Sequence, residues 1–198
     1  MALPAPVSRT HRHTRTIESQ GYLRDDGLWD IEATIVDSKT YPYTEPYRGA
    51  REPGSDVHRM SVRLTLDDSF TVHEIAVDMP ATPYPNCPKA AAAFQTLVGA
   101  KIGAGWRKRV NEAVGGVRGC THVRELLGPM ATVAFQTIQG WPQDRGDGQA
   151  IRQMPLDRAR SAFVDGCFAW ARDGEMVADL YPSLSTRTGS GDHSQLKR

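Results

Sequence analysis

The sequence predicts an α+β fold: an antiparallel β-meander with helices packed on one face, in a single domain. Three features predict it. Residues 29–39 and 58–66 alternate apolar and polar side chains with a period of two. Beyond residue 87 the apolar side chains recur at helical spacing instead. No internal repeat or low-complexity linker separates the two halves, and 198 residues suit one domain with a substantial core.

Residues 1–15 lack periodicity and read as a flexible arm, with the α+β domain spanning 16–184 and a disordered tail over 185–198. In the first alternating segment the odd positions are apolar from Trp29 through Ile35, then continue as Asp37 and Lys39. In the second the even positions are apolar from Met60 onward and begin with His58. Side chains alternate faces along a strand, so Asp37, Lys39 and His58 extend core-facing rows. After the turn Asp67-Asp68-Ser69 a third strand covers 70–77, where a bulge near His73-Glu74 restores the alternation. The connection over 41–57 is long and carries Pro42, Pro46, Pro53 and Gly54, which suits a binding loop or lid.

Three helices follow. Pro88 fits the first turn of a helix over 89–98 that Gly99 ends. A second covers 106–114 and stops at Gly115-Gly116. A third opens with Thr121 as N-cap and lines one face with Val123, Leu126, Leu127, Met130 and Ala134. A break around Gly140-Trp141-Pro142 precedes a short helix over 155–163 and a final hairpin over 167–181, with Asp173-Gly174 as its turn.

A net charge of +1 with 24% charged residues gives no reason to expect nucleic acid or an anionic membrane. The local basic runs at 9–15 and 107–109 lack interleaved aromatics and read as solvated patches. No apolar stretch approaches a membrane span, and the start shows no secretory signal pattern. Cys87, Cys120 and Cys167 are odd in number and widely spaced, which argues against a disulfide framework and for a reducing compartment. The expectation is a soluble, bacterial-type cytoplasmic protein, and a homodimer is compatible with it.

The richest chemistry lies where the alternating rows turn polar. If the two strands pair antiparallel, Asp37, Lys39 and His58 share one rim of the sheet. His58 could then act as a general base, Lys39 could stabilise a developing oxyanion, and Asp37 could orient either one. At a wet strand end the same Asp–Lys pair would be a surface ion pair of little energy. His122 and Glu125 lie one helical turn apart and could line the pocket, with Tyr41 and Tyr84 as aromatic contacts for a ligand. Cys87 and Cys120 each precede a helix, and with His122 they form an alternative metal- or cluster-binding set. Their spacing is not that of a CxxC pair.

Several segments together resemble a bacterial family, the domain of unknown function 2889. They are His13-Thr14-Arg15, residues 21–32, Asp37-Ser38-Lys39, residues 58–63, Pro83-Tyr84-Pro85-Asn86-Cys87-Pro88, residues 119–127 and Ala134-Phe135-Gln136. The resemblance implies a cofactor-free carbon–carbon lyase that removes a hydroxymethyl carbon as formaldehyde from a lignin-derived or related aromatic compound. The resemblance assigns no residues; from the strand pattern, His58 would be the base, Lys39 the electrostatic stabiliser and Asp37 the orienter, with Tyr84 and His122 against the ring and its phenol. A β-then-helix order with a cysteine opening the helix is also similar to iron–sulfur scaffold proteins, whose full ligand set is not visible here. The competing readings are therefore a metal- or iron–sulfur-binding module and a non-catalytic aromatic-ligand-binding protein.

Overall fold

The computed structural model describes residues 3–138 and 163–187. The chain divides into two compact units, 1–140 and 141–198. Four long strands build the first: β1 (His13–Leu23), β2 (Trp29–Lys39), β5 (Asp56–Leu66) and β6 (Val72–Ala81). They form one antiparallel sheet in the order β1-β2-β5-β6. Between β2 and β5 the chain makes a small separate hairpin, β3 (Tyr43–Glu45) with β4 (Gly49–Arg51). A 3₁₀ helix (Cys87–Leu97), α1 (Trp106–Val114) and α2 (Thr121–Ile138) follow. The expected α+β class is what the chain adopts.

Alternation is why β2 and β5 form. Ile31, Ala33 and Ile35 of β2 and Met60, Val62 and Leu64 of β5 are buried, and they stand directly opposite one another. Helix α2 covers this face with Val123, Leu126, Leu127, Met130 and Ala134, all buried at helical spacing. Burying a side chain of this size stabilises the fold by about 1.5–3 kcal/mol. In β6 the bulge falls where the alternation stumbles: Thr65 pairs with Glu74 and Leu66 with Val72, so His73 is the extra residue.

Strand β1 corrects the expectation of an arm through residue 15, because β1 begins at His13. It is an edge strand and is mostly exposed, so it carries no apolar alternation to announce it. It lies close under α2 at Gly21, where an added Cβ would sit 2.0 Å from Thr137 Oγ1 and 2.8 Å from Thr137 Cβ. Only glycine leaves room for the helix to approach there.

Three other expectations change. The 41–57 connection is not an open loop, since the β3–β4 hairpin occupies it and is tied down by Arg48. That guanidinium pairs with buried Glu45 and donates to the Val57 carbonyl at 2.9 Å. The carbonyl of Cys120, not that of Thr121, accepts the first helical bond of α2, from Arg124 N at 3.0 Å. Over 167–181 the structure has a 3₁₀ turn (Phe168–Trp170) and α3 (Glu175–Leu180) in place of a hairpin. Gly174 does not turn a hairpin; its carbonyl receives Ala178 N at 3.1 Å and starts the helix. Val177, Tyr181 and Leu184, at helical spacing, then bury a small core of their own in the second unit. The short helix expected over 155–163 lies almost wholly outside the described residues.

Candidate functional site

Asp37 continues the buried row of β2, so its carboxylate is carried to the core side of the sheet and is only 2% exposed. A buried carboxylate must be paired to remain ionised. The two flanking strands supply its partners, because Asp37 faces Arg15 of β1 on one side and His58 of β5 on the other. Arg15 makes a two-pronged bond, Nε to Oδ1 and Nη2 to Oδ2, both at 2.8 Å. The Nδ1 of His58 lies 2.9 Å from Oδ2. His13, two residues before Arg15 on the same face, places Nε2 3.1 Å from Oδ1. From α2, His122 brings Nε2 to 3.8 Å from Oδ2.

Burial pushes the Asp37 carboxyl upward, but Arg15 and then His58 outweigh it and hold the group down at about 2. An ionised carboxylate only accepts, so the His58 nitrogen that faces it, Nδ1, carries the proton. The Nε2 of His58 is left with its lone pair and no protein hydrogen bond among the described residues. Burial lowers the pKa of His58 below the ordinary imidazole value despite the pull of Asp37. His122 is lowered by burial, then by the charges of His58 and Arg15. The two rings lie face to face, 3.8 Å between centroids and 31° apart in plane. The surroundings of both imidazoles therefore favour their neutral forms.

Helix α2 completes the surroundings. Cys120 Sγ lies 3.9 Å from His122 Nδ1 and 3.7 Å from Met60 Sδ. Glu125, one turn beyond His122, takes the remaining Arg15 prong, Nη1 to Oε2 at 2.6 Å. The guanidinium thus links the edge strand, the buried carboxylate and the helix.

Among the residues expected from sequence, the structure brings together Asp37, His58 and His122, with Glu125 joined to them through Arg15. Lys39 does not join them. Its ammonium stands 4.2 Å from the Tyr43 ring centroid and 5.6 Å from that of Tyr41, and among the described residues it makes no ion pair. Lys39 follows Asp37 on the same row of β2, opposite His13, but β5 has a bulge there, with Val57 as its extra residue, and the ammonium at the strand end turns to the Tyr43 ring of the β3–β4 hairpin. Tyr41 carries the Arg12 guanidinium 3.9 Å above its ring, and Tyr84 meets Tyr47 edge to face at 6.0 Å. Cys87, Cys120 and His122 do not converge. Among the described residues the grouping of metal-capable side chains is Asp37, His58 and His122, while Cys87 packs against the hydrophobic core.

Sequence reasoning missed Arg15 and His13, the partners that keep Asp37 charged. The available signal was the polar start of an odd-position row, His13, Arg15 and Ile17, parallel to the polar end of the β2 row.

A family model described as a protein of unknown function, DUF2889, matches residues 13–136. The chain belongs to that family. The match begins at the first residue of β1 and runs to within two residues of the end of α2, so it takes in every group around Asp37. No curated protein and no solved structure matches the chain. Among the described residues no helix is long and apolar enough to cross a membrane.

Proposed function

We propose that the protein is a cofactor-independent carbon–carbon lyase that releases formaldehyde from a lignin-derived or related aromatic compound by retro-aldol-type cleavage. The observation that carries this reading is the His58–Asp37 pair. A buried carboxylate fixes the Nδ1–H tautomer and leaves Nε2 as a neutral base beside a second neutral imidazole.

In the proposed reaction, Nε2 of His58 takes the proton from the hydroxyl of a hydroxymethyl substituent. The C–O bond becomes the carbonyl of formaldehyde, and the carbon–carbon bond breaks. Its electron pair passes to the carbon conjugated with the aromatic ring, and the imidazolium returns the proton there. Atoms and charge balance without an external oxidant or reductant. Asp37 stabilises the imidazolium that forms, and Arg15 keeps Asp37 ionised throughout. The exposed Tyr47–Tyr84 pair is a candidate aromatic contact. Lys39 enters no step, because its ammonium faces Tyr43.

The test is incubation with a panel of hydroxymethyl-bearing aromatic dimers, with formaldehyde assayed and the one-carbon loss read by mass spectrometry. Wild-type protein releases formaldehyde from at least one member. His58→Ala keeps the fold by circular dichroism and loses more than tenfold in rate. Activity retained within tenfold removes His58 from the base role, and no release from any member removes the lyase reading.

A further inference from the structure

The Asp37–His58–His122 cluster has the composition of a transition-metal site as well as that of an acid–base pair. One donor atom from each residue lies within 4.8 Å of the other two. Around a tetrahedral zinc ion, bonds of about 2.0–2.1 Å place neighbouring donors about 3.3 Å apart. The separations from Asp37 Oδ2 are 2.9 Å to His58 Nδ1 and 3.8 Å to His122 Nε2, on either side of that distance. Small rotations of two side chains would admit the ion.

We propose that Asp37, His58 and His122 bind one zinc-class divalent cation, with a fourth position open to water or a small anion. Two imidazoles and one carboxylate suit Zn²⁺ or Co²⁺, whereas Mg²⁺ and Ca²⁺ take oxygen ligands. The carboxylate is 2% exposed, which separates this cluster from the acidic groups that crowd ordinary surfaces. His122 is positioned from behind: its Nδ1 faces Cys120 Sγ at 3.9 Å, while Nε2 faces the metal position. Cys120 therefore orients a ligand and is not one itself.

Arg15 sets the strength of binding. Its guanidinium already occupies both carboxylate oxygens, so the cation must displace part of that fork and sit near a fixed positive charge. Removing the guanidinium charge tightens the site. The inference stands apart from the lyase reading, and the two meet at one point. Binding through Nδ1 requires His58 to shift its proton to Nε2, so zinc removes the lone pair that any chemistry using His58 as base would need.

The experiment is equilibrium dialysis and calorimetry of the full chain with ZnCl₂, with MgCl₂ as control, alongside the absorption spectrum with CoCl₂. Wild-type protein takes up one Zn²⁺ per chain and no Mg²⁺, and the Co²⁺ form shows intense tetrahedral bands without a thiolate charge-transfer band. His122→Gln, which keeps size and polarity, weakens Zn²⁺ more than tenfold. Arg15→Gln tightens it, and Cys87→Ser leaves it unchanged. Absence of stoichiometric uptake overturns the proposal. So does uptake that His122→Gln leaves intact, or a thiolate band that disappears in Cys87→Ser. These readouts need no substrate, so they stand or fall independently of formaldehyde release.

Discussion

Arg15 and His58 belong to strands that do not pair, yet both bind the same buried carboxylate, Asp37, which lies between them on β2. That bridge ties the sheet's stability to its chemistry, because the group that orients the base also needs a partner to stay charged.

Asp37→Asn separates the two effects. The amide keeps the shape, but it cannot accept from the guanidinium, His13 and His58 together. Arg15 and the imidazoles are partly solvated and recover some hydration, so the cost to folding is about 1–3 kcal/mol. Urea denaturation measures it. A variant as stable as wild type would mean that the bridge contributes nothing to the fold.

The proposed base makes a signed statement about pH. His58 must be neutral to accept a proton, and burial holds its pKa below the ordinary 6.5. The acid limb of kcat/KM for formaldehyde release is therefore expected to have its midpoint below 6.5, the rate rising with pH through it. A midpoint above 6.5 would show that Asp37 outweighs burial.

Asp67 predicts an acid-labile turn far along the sheet. Burial alone would raise its pKa, but His73 and the backbone N–H groups of Thr71 and Ser69 lower it overall. A carboxyl with a depressed folded-state pKa contributes stability above its unfolded value, about 3.9, and loses it as pH falls further. Asp67→Asn should therefore cost stability at pH 6 and less at pH 2.5, where part of the linkage is already lost. Thermal melts at the two pH values decide it, and an equal loss at both would count against the linkage.

Gly21→Ala should destabilise by about 1–3 kcal/mol, as overpacking does. Rotating Thr137 cannot relieve the clash, because its Cβ is itself 2.8 Å from the new methyl position. The double variant with Thr137→Ala removes Oγ1 and Cγ2 and should regain part of the loss in thermal denaturation. A Gly21→Ala protein that melts with wild type would show that α2 does not press on β1.

Much of this architecture is written in alternation. β2 and β5 were legible because one face is buried and the other polar, and their polar continuations, Asp37 and His58, led to the site. His122 was legible as a first-turn residue of an amphipathic helix. β1 was not, because its core-side positions include His13, Arg15, Ser19 and Gly21, whose burial partners are a carboxylate and a close helix rather than a hydrophobic layer. Lys39 was misplaced for a different reason. Periodicity places it on the right row of β2, but the Tyr43 ring that draws its ammonium away belongs to a hairpin that alternation does not reveal. The α3 helix was hidden by Asp173-Gly174, a pair that serves a helix start as readily as a hairpin turn.

Because His13 and Arg15 ride on a strand with a neighbour on one side only, the site inherits the behaviour of that margin. Breathing of β1, or clipping of its first three residues, would strip the buried anion of its counter-ion while the apolar interior stayed nearly whole. Preparations that still fold, at reduced stability, could thus be inert, and a fusion joined close to residue 13 would be the first suspect.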